Sequence, residues 1–232
     1  MDSKLQIVKD KISMKILVVG NIDQFEELKL KFGADHVYSS LEDSDNPEGY
    51  DPEVVFDFVS EEIPESLENY EKIECPVFFS IVKTSLAHQN IYYPVKDQWF
   101  GFNGLPTFIN RELLEVSIFN SKGEGYLSKI AHGLKTDYVL VEDRVGMVSP
   151  RVVCMIINEA FYTNAEGTAS EKDIDLAMKL GTNYPLGPFE WAEKIGIENV
   201  YEVLEAVYED TGDERYKINP QLKKKYLKEI TR

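Results

Sequence analysis

The amino-acid sequence predicts an α/β protein, a mainly parallel doubly wound sheet followed by an all-helical region. Three observations carry this. Up to about residue 142, short apolar runs ending in glycine or turn residues alternate with amphipathic stretches. The first of these runs opens a β-α-β unit. From Val148 onward the apolar residues repeat with the period of a helix.

Taken in order, Met14-Lys15-Ile16-Leu17-Val18-Val19-Gly20 reads as a buried strand ending in glycine. A helix follows over about residues 23–32, closed by Gly33, and His36-Val37-Tyr38 gives a second short strand. This is the opening of a Rossmann-like domain. A turn-rich acidic insert over residues 42–52 leads to a strand over 54–59, a helical stretch around 65–73, a strand over 77–82 and an aromatic strand near 98–102. The pattern then reads as helical over about 110–119 and again over 125–134, before a late strand at 138–142.

The helical region opens with Ser149 as N-cap and Pro150 as first helical residue. Val152, Val153, Ile156, Ile157, Ala160 and Phe161 then repeat at helical spacing, so this helix is expected to be largely buried. Asn158 and Glu159 interrupt the apolar run. An unpaired polar group there costs roughly 2–7 kcal/mol, so each is expected to meet a partner group or a subunit boundary; the blander reading is an exposed stripe. Ser170 with Asp173 has the capping-box spacing, Ile174, Ala177 and Met178 form one apolar face, and Gly181 fits the helix stop. Val200, Val203, Leu204, Val207 and Tyr208 mark a last packed helix, and Lys223, Lys224 and Lys225 read as a solvated helix end.

The 232 residues suffice for one large domain or two small ones. The net charge of −16 is uneven: residues 1–120 hold ten Lys and Arg against 22 Asp and Glu, and thirteen of those acids lie between Glu42 and Glu74 beside a single lysine. Such a field repels nucleic acid and anionic membranes, and it suits a pyrophosphate cofactor poorly. The plainest reading of the acidic stretch is a solvated face. No apolar run reaches membrane-spanning length, and residues 1–13 are too charged for a secretory signal, so a cytoplasmic location is expected. Cys75 and Cys154 lack metal-ligand or disulfide spacing and read as packed thiols.

The block from Ile157 to Glu190 is more specific. Its INEA, G-x-A, DIDLAMKLG and N-Y-P-L-G-P-F-E segments, continued by Ile195-Gly196-Ile197 and Thr211-Gly212-Asp213-Glu214-Arg215-Tyr216, resemble the C-terminal domain of the 3-hydroxyacyl-CoA dehydrogenase family, short-chain 3-hydroxybutyryl-CoA type. The resemblance implies a division into a Rossmann-like domain over 1–143 and a helical domain over 144–232 that makes a homodimer and covers an acyl-CoA. It also implies NAD as cofactor, and hydride transfer assisted by a histidine base, an orienting glutamate, and serine and asparagine groups around the substrate oxygen.

The residues keep little of that chemistry. The phosphate-binding run G-x-G-x-x-G is matched by Gly20-Asn21-Ile22-Asp23-Gln24-Phe25, where only Gly20 remains and Asp23 adds a negative charge. An acid for the ribose, about 20 residues on, has no clear counterpart. Two readings stay open: ordinary NAD binding is lost, or the cofactor is held in an altered way. The family's H-F-F-N-P stretch finds its nearest match in Phe100-Gly101-Phe102-Asn103-Gly104, which sets Phe100 at the base. The glutamate then matches Glu115 across a loop three residues longer, either a relic of the site or an exposed helical acid. Thr84 keeps a hydroxyl at the serine position, while Pro150 stands at the asparagine position and brings no side-chain donor. His88 lies nearest the Thr84 segment but reads as an ordinary surface or core histidine.

The helical pair that relatives carry between second and third strands is replaced by the acidic insert, and the chain stops at Arg232 without the family's G-R-K-T/S-G-K-G-F tail. Three functions are compatible with this pattern: a family member with impaired or absent catalysis that dimerises and holds an acyl-CoA, an active reductase of short 3-oxoacyl-CoA with a rearranged site built on Glu115, Thr84 and His88, or a non-catalytic partner of a longer relative.

Overall fold

The computed structural model describes residues 13–42 and 46–231. The charged N-terminal segment and the acids Asp43 and Asp45 of the insert fall outside them. Seven strands form one sheet in the order β2-β1-β3-β4-β5-β6-β7. They span β1 Lys15–Val19, β2 Val37–Leu41, β3 Val54–Asp57, β4 Val77–Ser80, β5 Trp99–Phe102, β6 Leu113–Ile118 and β7 Asp137–Val141. All neighbours run parallel except β5 and β6, which pair antiparallel with Phe102 opposite Val116.

The period-2 alternation of each strand builds two cores. Ile16, Val18, Phe56, Phe78, Phe100, Phe102, Leu114 and Val116 face the helices α1 Ile22–Phe32 and α3 Gly123–Leu134. Leu17, Val19, Val55, Val77, Phe79 and Trp99 face the opposite way, beneath a 3-10 segment Pro64–Tyr70 and the short α2 Leu86–Gln89.

Two expected helices are corrected. Residues 110–119 form no helix; residues 113–118 form β6, because Leu114 and Val116 point to one side while Glu115 and Ser117 point to the other, and β5 needs a partner on its free edge. The stretch expected as a helix over 65–73 is a 3-10 turn, in which Leu67 and Tyr70 stack at the three-residue spacing that such turns eclipse. Strand β3 also ends early, since the Asp57 carboxylate accepts from the amides of Val59 and Ser60, each at 2.7 Å, and turns the chain.

The helical part comprises α4 Ser149–Ala165, α5 Glu171–Thr182, α6 Pro188–Ile195, α7 Ile197–Thr211 and α8 Pro220–Glu229. Val153, Cys154, Ile157 and Phe161 of α4 pack on Phe189, Ala192 and Ile195 of α6 and on Val200, Val203, Leu204 and Val207 of α7. Helix α4 is buried on one side only: Val152 is 53% exposed, and Glu159 and the half-buried Ile156 share that outer face. Ser149 is not the N-cap. Val148 holds that position, with Ser149 and Pro150 in the first turn. Likewise α5 runs past Gly181 to Thr182, and Asn183 supplies the left-handed residue at φ 57°.

Asn158 meets the partners its burial demands. Its amide donates to the Lys217 carbonyl at 3.0 Å and accepts from the Asn219 amide at 2.9 Å, tying the approach to α8 against α4. Asn219, itself buried, caps α8 by accepting from the Gln221 amide at 2.7 Å. Asn158→Ala leaves the buried Asn219 N–H without its acceptor, while the Lys217 carbonyl keeps the Tyr162 hydroxyl at 3.4 Å, so urea unfolding is expected to show a loss of about 1–3 kcal/mol with an unchanged m-value; a loss under 0.5 kcal/mol removes this role.

Candidate functional site

The sheet meets the helices at the carboxyl ends of β1, β3 and β4, where an open α/β sheet presents its crevice. A cleft of about 620 Å³ lies there, walled by α1, by the loops after β3, β4 and β5, and by α6 and α7.

At the start of α1, Gly20 has φ 155°, and a Cβ built on it would lie 2.3 Å from Gln24 Oε1. The space over the glycine is filled by that side chain. Gln24 accepts from the Asn21 amide at 2.8 Å, and Asn21 accepts from the Gln24 amide at 3.0 Å, a complete capping box. Two amides that would face an anion are therefore spent within the chain. Asp23, Glu42 and Glu62 surround the same mouth.

Glu61 sits where the loops after β3 and β4 meet. Its Oε1 accepts from the successive amides of Val82 at 2.5 Å, of Lys83, and of Thr84 at 3.2 Å, a backbone nest occupied by the protein's own carboxylate. This is where Thr84 is placed: its amide holds Glu61, and β4 ends at Ser80 because the next residues wrap this acid. Burial pushes the Glu61 carboxyl up to about 7, against the pull of Lys83 and the amides. The Lys83 ammonium is clamped between Glu62 and Glu202, the latter at 2.9 Å from α7.

Glu115 is neither helical nor exposed. It lies buried in β6, and its carboxylate accepts from the Val148 amide at 2.5 Å and the Ser149 amide at 3.1 Å, capping α4 from the neighbouring domain. The residue beside it is Asn103, whose amide lies at 3.5 Å from Glu115 Oε2 and whose backbone N–H donates to the Glu115 carbonyl at 3.1 Å. The sequence match that set Phe100 at the base position is corrected. Phe100 pairs with Ile118 and packs fully buried on Phe78 in the core on the far face of the sheet, while Asn103, twelve positions before Glu115, lies beside it. Alternation along β5 decides this, since adjacent residues must face opposite sides.

Pro150 lies buried in the first turn of α4, beside the Glu115 cap. None of the three histidines lines the cleft: His36 accepts from the Met14 amide at 3.1 Å, His88 in α2 makes a tilted ring contact with Tyr92, and His132 lies in α3. No hydrogen bond joins Glu115, Thr84 and His88 among the described residues. Asp175 is a residue the sequence reading passed over. Its carboxylate accepts from the Phe189 amide at 2.8 Å and the Glu190 amide at 3.3 Å at the start of α6, and a Cβ on Gly187 would strike it at 2.3 Å. The D-I-D and L-G-P-F-E segments interlock at this contact, which the spacing of Asp175 and Gly187 signalled without revealing.

Residues 146–230 match the family model described as 3-hydroxyacyl-CoA dehydrogenase, C-terminal domain. The 3-hydroxyadipyl-CoA dehydrogenase of Escherichia coli K12 is 43% identical over 89 residues, 38% of this chain and 19% of that protein. The 3-hydroxybutyryl-CoA dehydrogenase of Clostridioides difficile is 38% identical over 123 residues, 53% of this chain and 44% of that one. The chain therefore matches less than half the length of these relatives. The solved (S)-3-hydroxybutyryl-CoA dehydrogenase of Ralstonia eutropha shares the fold across 91% of this chain and 93% of its own, with TM-score 0.69 at 18% identity.

Glu115→Leu strips the α4 N-terminus of its acceptor and is expected to lower stability by about 3 kcal/mol, whereas Glu115→Gln, which keeps one carbonyl oxygen, should lose about half as much. Chemical denaturation of both variants checks the order, and equal stability of all three proteins refutes the capping role.

Proposed function

We propose that this chain, which belongs to the 3-hydroxyacyl-CoA dehydrogenase family through its helical domain, has given up the dehydrogenase reaction and keeps the helical domain for self-association. The observation that carries this is the pairing of Glu115 with Asn103. A base-and-orienter pair needs a group that can take a proton, and a carboxamide cannot. The Glu115 carboxylate is moreover committed to two helix amides.

NAD is the cofactor that family membership would bring, and the pyrophosphate of a dinucleotide does not fit the start of α1. Gln24 fills the cradle over Gly20, the Asn21 and Gln24 amides are already bonded, and three carboxylates line the approach. The same field opposes the phosphates of an acyl-CoA in the cleft. Purified protein given acetoacetyl-CoA with NADH or NADPH, beside a full-length family enzyme as positive control, is expected to show no oxidation above background and no saturable change in NADH fluorescence. Turnover that falls in Asn103→Ala would restore a dehydrogenase with a rebuilt site.

Self-association is supported by the outer face of α4. Val152, Met155, Ile156, Ile174, Ala177 and Met178 line an apolar groove of about 710 Å³ between α4 and α5, and Leu176 and Leu180 extend the apolar surface at 52% and 78% exposure. Arg151, Arg215, Glu159 and Asp173 stand around it. A patch carrying both signs can be complementary to itself across a two-fold axis, so the occupant is a second copy of the chain. Sizing with light scattering at micromolar concentration is expected to give twice the mass of one chain, and Ile156→Asp to give the monomer. A monomeric wild type, or pairing only with a longer relative, overturns this part.

A further inference from the structure

Asn158 finds its partners inside the chain, and Glu159, the other polar residue that interrupts the apolar run of α4, does not. Glu159 is exposed on the outer face and makes neither a hydrogen bond nor an ion pair among the described residues. On that face it shares a stripe with Val152, Met155, Ile156 and Thr163, at helical spacing along the groove. A lone carboxylate opposes burial of an apolar stripe unless a cation reaches it from the other side of the contact.

Arg151 lines the same groove from the first turn of α4. Its guanidinium donates to the Val145 carbonyl at 2.6 Å and to the Tyr216 hydroxyl at 3.3 Å, both neutral groups. Its Nε is buried without a partner, and no carboxylate pairs with it among the described residues. The other charges around the groove are already engaged. Arg215 pairs with Asp213 at 3.3 Å, and Asp173 accepts from the Ser170 hydroxyl at 2.6 Å. One unmatched cation and one unmatched anion therefore stand on α4, each four residues from Met155 and about 12 Å apart along the axis, too far to meet within one helix.

We infer that α4 lies antiparallel to α4 of a second copy across a two-fold axis at Met155, so that Arg151 of each chain takes the partner's Glu159. This rests on the self-association proposed above and gives it a register. An antiparallel two-fold carries each position before Met155 onto the equally distant position after it, so both bridges form at once and Met155 meets itself. Val152 and Ile156 are buried by the same contact. A parallel pairing sets Arg151 against a second arginine, and a pairing shifted by one turn leaves Glu159 desolvated beside apolar side chains. The two internal bonds of Arg151 use two of its five N–H groups, and the remaining donors suit a carboxylate.

Sizing with light scattering of the full chain over a dilution series reads the dissociation constant of the dimer. Glu159→Arg, an exposed change, is expected to keep the circular dichroism of the wild type and to raise that constant about a hundredfold, because two like-charged pairs replace two bridges. Arg151→Glu should act alike, and its folding is checked by urea unfolding because Arg151 also bonds within its own chain. Each variant alone is then a monomer at micromolar concentration. Mixed, the two form a heterodimer in which both pairs are again opposite in sign, and the two substitutions in one chain restore the homodimer. A second measurement is independent of Arg151: with Cys75→Ser as background, a short bis-maleimide joins Met155→Cys to itself. A wild-type dimer whose dissociation constant is unchanged in Glu159→Arg, or folded variants that stay monomeric when mixed, or no cross-link at Met155→Cys, overturns this register and leaves self-association standing. A monomeric wild type overturns both.

Discussion

The contact between the Glu115 carboxylate and the first amides of α4 holds the two halves of the molecule in register. A helix start exposes amides that need acceptors, and here the acceptor comes from a strand of the other domain, buried and ionic. β6 must lie antiparallel to β5 to bring Glu115 to the sheet end, and α4 must begin directly over it. Lys83, reaching from the β4 loop to Glu202 of α7, adds a second tie across the same junction.

Once Glu115 is fixed in that role, its neighbour decides what chemistry remains. Asn103 satisfies hydrogen bonds there without bringing a titrating group. The rest of the cleft is consistent in sign. Its nest of amides is filled by Glu61, its helix start is self-capped, and carboxylates outnumber ammoniums along its walls. An anion would meet closed donors and mostly negative walls. The helical half shows the opposite condition, with an apolar core and an apolar outer face that water does not favour.

Much of the fold was legible because periodicity reports burial directly. The parallel strands, α1 with its Gly33 stop, and the packed stripe of α7 follow from apolar spacing alone. The misreadings share a cause. In Leu113-Leu114-Glu115-Val116-Ser117-Ile118 both helical and strand periods fit a short apolar run, and only pairing to β5 chooses between them. Pro150 suggested a helix start at Ser149, but the donor to be capped was one residue earlier and its acceptor 33 residues away in sequence.

The sequence by itself determined the class of fold, the helical block with the buried Asn158 on its first helix, and the run after the first strand in which Gly20 is the only glycine. These depend on local spacing and on residue chemistry at single positions. Only the tertiary structure decided that Asn103 rather than Phe100 faces Glu115, that Gln24 covers Gly20, that Glu61 fills the amide nest, and that Ser80 and six carboxylates share one cleft. Those facts depend on strand register and on loops distant in sequence meeting in space, and register is set by which faces are buried when all the strands pack together.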